Sequence, residues 1–179
     1  MNEFEVMMQE ELIMDAANNA VMMAMPNGKF FIPNKVFWAT LLNLKEAYKF
    51  TFIIDAGCGD GHVSEEARDY KLKMVGCDIF RREERDIETS IQYVPAHRLV
   101  EVMTGSSDAQ DTWVMVCRPD HSGWVAPLYY RTQIERNMGF IYVGDSAKLM
   151  FDVDPERLPD YTVDNVGEDS ESMFIWFPT

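Results

Sequence analysis

Basic side chains, cysteine and long apolar runs are all scarce in this chain of 179 residues. Its 16 lysines and arginines are outnumbered by 30 aspartates and glutamates, which gives a formal net charge of −14. That balance opposes broad electrostatic capture of nucleic acid or of an anionic membrane surface, because both are themselves negative. The acidity favours a small molecule or a protein as the substrate.

Cysteine occurs three times, an odd number, and the first residues show neither the basic nor the apolar region of a secretory signal. Both features favour a reducing, cytoplasmic setting, since disulfides are rare there. The longest apolar stretches are too short and too often interrupted by charge to span a bilayer. We therefore expect a soluble cytoplasmic protein without a membrane partner.

One stretch, residues 50–61, carries the clearest local pattern. A compact β-rich run ends on Asp55, three glycines follow at alternate positions, and a polar segment then continues as a helix. Glycine suits such a strand–turn–helix unit because it tolerates positive φ and lets the backbone approach a ligand closely. The free N–H groups at a helix start favour an anionic group such as a carboxylate.

The pattern Asp55-x-Gly57-x-Gly59-x-Gly61 resembles the first motif of class I S-adenosylmethionine-dependent methyltransferases. A second apolar run closes on Asp78, where that family carries an acidic residue at the end of its second strand. An acid about 20 residues beyond the glycines can accept hydrogen bonds from both ribose hydroxyls of an adenine nucleoside. Asp78 is the candidate for that role.

The resemblance implies S-adenosylmethionine as the cofactor. The glycine backbone would lie against its methionine part, with Asp55 near its ammonium group. The predicted cofactor-binding residues are Asp55, Gly57, Cys58, Gly59, Gly61 and Asp78. A nicotinamide or flavin dinucleotide fold is the closest competitor, but its Gly-x-Gly-x-x-Gly fingerprint would need a glycine or alanine where His62 stands. A pyrophosphate would also meet the like charge of Asp60.

The loop after the apolar run at residues 112–117 is the predicted substrate side, because in the resembled fold it faces the transferable methyl group. The sulfonium already activates that methyl, so the protein mainly aligns the acceptor and sometimes removes a proton. Asp120 and His121 are the candidate catalytic bases, and a capping or surface role is the alternative for this pair. Arg118 and Trp124 are the candidate substrate-binding residues.

Two departures from related enzymes argue against a nucleic-acid substrate. The Asp/Asn-Pro-Pro-aromatic tetrad of many amino-methylating nucleic-acid enzymes is absent, and so is the Pro-Cys pair of the cytosine-C5 type, because Cys117 precedes Arg118. The sequence thus predicts a methyltransferase that acts on a small molecule or a protein. The alternative is a catalytically inactive protein of the same fold with a binding or regulatory role.

Along the whole chain, predicted strands and helices alternate and end in a strand pair at residues 161–163 and 173–177. The predicted elements include a strand at residues 91–94 and a helix at residues 128–137. This order predicts an α/β fold: a single three-layer, Rossmann-like domain with a mostly parallel sheet, helices on both faces and a C-terminal antiparallel strand pair. Residues 1–49 are predicted to form an N-terminal helical segment that packs on the core. Residues 50–179 are predicted to form the S-adenosylmethionine-binding domain.

The three cysteines, Cys58, Cys77 and Cys117, each fall at or just past the carboxyl end of a predicted strand. We therefore expect their thiols to line one edge of the ligand crevice. Free cysteine is most often a small buried hydrophobe, and the three histidines show no ligand spacing. The sequence predicts no metal site.

Overall fold

The computed structural model describes residues 30–79, 91–105, 111–119 and 123–179. Of the predicted N-terminal segment, residues 30–49 are therefore within the described part. The helices are α1 (Lys35–Tyr48), α2 (His62–Glu66), α3 (Ala96–Thr104), α4 (Val125–Tyr129) and α5 (Ser146–Asp152). The strands are β1 (Phe52–Ala56), β2 (Met74–Cys77), β3 (Thr112–Cys117), β4 (Phe140–Gly144), β5 (Tyr161–Val163) and β6 (Ser172–Trp176).

These six strands form one sheet in the order β2-β1-β3-β4-β6-β5. The first four in this order pair in parallel, and β6 lies antiparallel between β4 and β5. The predicted α/β fold with a mostly parallel sheet and a C-terminal antiparallel pair is confirmed. The chain order reverses between β1 and β3, and open α/β sheets bind ligands at such a point, outside the carboxyl ends of the strands.

Helices cover both faces of the sheet, as predicted. Buried residues of α1 and α2 cluster with Ile53 and Met115 on one face, whereas those of α3, α4 and α5 cluster with Ile54 and Val114 on the other. Successive residues of a strand point to opposite faces, so the neighbours Ile53 and Ile54 belong to different apolar layers. This explains why β1 and β3 consist mainly of apolar residues, with Asp55 as the buried acid of β1: both faces of each strand are buried.

The helix α1 begins where the sequence provides a cap. The Asn34 side chain accepts hydrogen bonds from the backbone N–H groups of Val36 and Phe37, at 2.8 and 3.3 Å. An asparagine in this position satisfies N–H groups that have no partner within the helix. The buried face of α1, formed by Phe37, Trp38, Leu41 and Leu44, then packs on the sheet.

A strand expected at residues 91–94 is reduced to a single parallel bridge between Cys77 and Gln92. The Val94 amide donates back to the Gln92 carbonyl at 2.9 Å, which closes a tight turn. Pro95 follows at once, in the position directly before α3, and proline has no N–H to extend a sheet ladder. The chain therefore leaves the sheet after one pair.

The helix expected at residues 128–137 starts three residues earlier, at Val125, and continues from α4 as a π-helix over Tyr130–Glu135. The Thr132 hydroxyl donates to the carbonyl of Leu128, four residues back, at 2.8 Å. A side chain that takes up such a carbonyl competes with the regular helical ladder.

No helix in the described part of the chain combines the length and apolar character needed to cross a bilayer.

Candidate functional site

The glycine loop, residues 57–61, joins β1 to α2 at the crevice between β1 and β3. Its three glycines have φ angles of 69°, 60° and 76°, a region that residues with a Cβ rarely adopt. The backbone N–H groups of Gly57 and Cys58 both donate to the Cys77 carbonyl at the end of β2, at 2.9 and 3.0 Å. The loop is thereby fixed against β2.

Asp78 follows β2 and reaches back to the glycine loop. Its Oδ2 accepts a hydrogen bond from the Gly59 amide at 2.8 Å, and its own amide donates to the Gln92 carbonyl at 3.1 Å. A carboxylate has about four acceptor positions, and the bond from Gly59 occupies one of them. The structure therefore brings together the glycines and the strand-end acid that the sequence singled out.

Asp55 lies beneath the same loop and is only 2% exposed. The Ser64 hydroxyl donates to its Oδ2 at 3.3 Å. Burial raises the pKa of Asp55 to about 7, while the Ser64 hydrogen bond and nearby His62 oppose the rise and Asp78 and Asp60 add to it. At neutral pH this carboxyl group is divided between its charged and neutral forms, and an adjacent cation would favour the charged one.

Two aromatic rings lie directly on the glycine loop. A Cβ added to Gly57 would fall 2.9 Å from Cζ2 of Trp124, and one added to Gly59 would fall 2.5 Å from Cε1 of Phe30. Both glycines are thus needed for space as well as for conformation. Trp124, predicted from the sequence to bind substrate, lies against the loop predicted to bind the cofactor.

His62 and the segment around Phe30 are part of the site that sequence reasoning missed. The His62 ring has Nδ1 2.6 Å from Asp60 Oδ1 and Nε2 2.6 Å from the Phe31 carbonyl oxygen. The Phe30 ring meets the His62 ring edge to face, with centroids 5.8 Å apart. The only signal in the sequence was the His62 side chain directly after the third glycine, since nothing there reveals a partner 31 residues away.

Arg118 follows β3, and acidic residues between β5 and β6 engage its side chain. Its Nη1 lies 2.8 Å from Asp169 Oδ2 and 3.0 Å from Glu171 Oε1. These residues line a cavity of about 300 Å³ at the carboxyl end of β4, together with Asp145 and three serines. The arginine charge is therefore already matched by two carboxylates. The candidate bases Asp120 and His121 lie outside the described residues.

Burial disfavours the thiolate form of the cysteines around the loop. Cys58 and Cys77 are buried, and burial raises the pKa of Cys77 to about 12 and that of Cys58 further still. Burial likewise raises the pKa of Cys117 well above its ordinary value. No group of three or more potential metal ligands occurs within the described ranges.

Comparison with known proteins does not assign a family to this chain. No protein-family model and no curated protein matches the chain. Among solved structures it is similar to one described as "Structure of an Antibiotic Related Methyltransferase", with 16% identity, a TM-score of 0.38, and coverage of 77% of this chain and 92% of that one. A likeness of this degree carries no functional argument.

Proposed function

We propose that this protein binds S-adenosylmethionine at the crevice between β1 and β3 and acts as a methyltransferase. One observation carries the proposal: the glycine loop follows β1, next to which the strand order reverses, and the 2.8 Å hydrogen bond from the Gly59 amide joins this loop to Asp78 at the end of β2. Glycines and a strand-end acid in this arrangement suit a nucleoside with a polar tail.

The residues present match the chemistry of this cofactor. Asp78 would accept hydrogen bonds from the ribose hydroxyls, and the backbone at Gly57 and Gly59 would lie along the methionine part. Asp55 is a carboxyl group whose charged form is disfavoured by burial, and an ammonium group beside it would offset that cost. When bound, the cofactor supplies a methyl group already activated by a sulfonium.

Trp124 defines how the crevice would admit the ligand. Its ring now contacts Gly57, so we propose that the ring turns away from the loop as the methionine part enters. The acceptor would then approach from the side of the β3 loop, with Asp120 or His121 removing a proton where the acceptor requires it. Arg118 would contribute to that side by holding the acidic segment around Glu171 in place.

The net charge of −14 supports a small molecule or a protein as the acceptor over a nucleic acid. We also propose that the N-terminal segment, residues 1–49, packs on a cofactor-binding domain formed by residues 50–179.

A catalytically inactive binding protein of the same fold is the second candidate for the function. It is favoured by the rings of Phe30 and Trp124 on the loop and by the Arg118 charge that Asp169 and Glu171 neutralise.

Calorimetric titration tests the cofactor assignment. We expect S-adenosylmethionine and S-adenosylhomocysteine to bind with micromolar affinity and a nicotinamide dinucleotide not to bind. The substitution Asp78→Ala should weaken the affinity for the first two ligands at least about tenfold, because a lost hydrogen bond to a charged group costs about 1.5–3 kcal/mol. Asp111→Ala is the matched control, because this exposed acid precedes β3 at the opposite edge of the sheet.

If none of the three ligands binds the wild-type protein, the proposed function is wrong. If the cofactor binds, transfer of a labelled methyl group to small-molecule or protein fractions distinguishes an enzyme from an inactive binding protein.

A further inference from the structure

The strand β5 lies at one edge of the described sheet, and both of its faces are open to solvent over its first two residues. Tyr161 and Thr162 are exposed, and successive residues of a strand point to opposite faces. Each of the other five described strands contains at least two buried residues, whereas β5 contains none. The helices that cover the sheet therefore leave β5 uncovered.

The pairing of β5 with β6 directs the backbone of Thr162 to the outer side. The Ile175 carbonyl accepts the Asp160 N–H at 2.8 Å, so the backbone groups of Ile175 face β5. The register pairs Ile175 with Tyr161, and backbone groups alternate between the two sides of a strand. The N–H and C=O of Thr162 therefore point away from β6, and no strand of the described sheet lies beyond β5 to pair with them.

The opposite edge of the sheet, formed by β2, is partly covered. The Gln92 amide donates to the Gly76 carbonyl at 2.9 Å, and the Gln92 carbonyl accepts the Asp78 amide at 3.1 Å. An edge whose backbone groups have no partner strand is a template for one more strand. Of the two described edges, β5 is thus the one that can accept it.

Acidic side chains surround β5. Residues 152–171 carry eight acidic side chains and one basic side chain, Arg157. Asp160 and Asp164 directly precede and follow the strand. Arg157 pairs with Asp160 at 2.6 Å, and Arg118 pairs with Asp169 at 2.8 Å. Two arginines do not balance eight acids, so this part of the surface remains strongly negative.

Exposed apolar side chains lie among these acids. Leu158 is 76% exposed and Tyr161 is 55% exposed. The backbone that carries them is fixed against β6, because the Arg157 carbonyl accepts the Trp176 indole N–H at 2.9 Å. Residues 158–164, which we call the outer edge, thus combine apolar side chains, carboxylates and outward backbone groups on one fixed segment.

A second copy of this chain is poorly suited to the outer edge. In a symmetric antiparallel pairing centred on Thr162, Asp160 of each copy would lie opposite Asp164 of the other. Like charges directly opposite each other on adjacent strands are destabilising, whereas opposite charges are stabilising. The same positions therefore favour lysine or arginine on the added strand.

We propose that the outer edge binds an extended, cationic segment of a partner protein, which adds a strand beside β5. Backbone hydrogen bonds to Thr162 hold this segment, its basic side chains face the flanking carboxylates, and its apolar side chains pack on Leu158 and Tyr161. The strands β4 and β6 separate this surface from the crevice between β1 and β3, so the inference is independent of the proposed cofactor.

Fluorescence anisotropy with a labelled peptide of alternating lysine and valine tests the proposal. We expect this peptide to bind, and a peptide with glutamate in place of lysine not to bind. Two further peptides carry methyl groups on one or the other alternate set of backbone amides, which keeps the charge but removes hydrogen bonds. At least one of them should bind at least about fivefold more weakly.

Two substitutions at Thr162 form a matched pair. Thr162→Pro removes the outward N–H, and proline is tolerated on an edge strand at a position whose N–H faces solvent. It should weaken binding of the lysine–valine peptide at least about fivefold. Thr162→Val keeps the N–H and should bind as the wild-type protein does. If Thr162→Pro fails to fold, the methylated peptides still decide the question with the wild-type protein.

Hydrogen exchange followed by nuclear magnetic resonance locates the bound peptide. We expect the lysine–valine peptide to slow exchange of the Thr162 amide and to leave the Val114 amide in the middle of the sheet unchanged. The proposal is wrong if the wild-type protein binds no peptide, if backbone methylation and Thr162→Pro have no effect, or if the protein alone sediments as a dimer that Thr162→Pro dissociates. Since no cofactor is present, each result is separate from the fate of the proposed methyltransferase function.

Discussion

Asp55 shows how a buried carboxyl group can oppose stability. Its pKa in the folded protein is about 7, above the ordinary value of 3.8, mainly because the side chain is buried. Between these two values the folded state binds more protons than the unfolded state. The stabilising contribution of Asp55 to the free energy of unfolding is therefore fully present below about pH 4 and is lost as the pH rises through 7.

We expect Asp55→Asn to raise the melting temperature at pH 8 and to have little effect near pH 4. Asparagine has nearly the same shape without the buried charge. The pKa shift of Asp55 corresponds to a difference in the free energy of unfolding on the order of a few kcal/mol. Thermal unfolding of both proteins across this pH range measures the effect, with exposed Asp111→Asn as the control. An equal change at both pH values would mean that the charge of Asp55 is not its cause.

Among the helices, α1 depends most clearly on one side chain at its start. Asn34 accepts two backbone hydrogen bonds and also donates through Nδ2 to the Asn165 carbonyl at 2.7 Å. It thus joins the helix start to the segment between β5 and β6. The same helix buries four large apolar residues, so its loss would open one apolar layer.

Replacement of Asn34 by alanine should lower the free energy of unfolding by about 1–2 kcal/mol, the usual cost of a lost helix cap. Denaturant titration provides the measurement. Thr40→Ala is the matched control in the same helix, since Thr40 is partly exposed and bonds only to the Val36 carbonyl one turn back, and it should change stability by less than about 0.5 kcal/mol. Equal losses in both variants would argue against the cap.

The strands were more predictable than the contacts between loops. β3 is a continuous apolar run because helices cover both of its faces, and such a run is visible in any sequence. The element at residues 91–94 was misjudged because pairing there ends after Gln92, which depends on a local turn rather than on hydrophobicity.

Over the whole molecule, the site residues that could be predicted are those whose partners follow a regular spacing. The glycines and Asp78 are 17 to 21 residues apart along one βαβ unit, so a pattern links them. Phe31 meets His62 from 31 residues away, and Arg118 meets Glu171 from 53 residues away. Contacts of that kind arise from the assembled sheet and leave no local pattern.

The position of Trp124 gives the protein an intrinsic optical reporter. The other tryptophans, Trp38, Trp113 and Trp176, are at most 1% exposed, whereas Trp124 is partly exposed at the crevice. Acrylamide should therefore quench emission mainly from this one indole, and Trp124→Phe should reduce the Stern–Volmer slope at least about twofold, in proportion to the exposed fluorophore. An unchanged slope would place the accessible indole elsewhere. In the wild-type protein, a ligand that binds beside Gly57 should change the tryptophan fluorescence, and Trp124→Phe should not show this change.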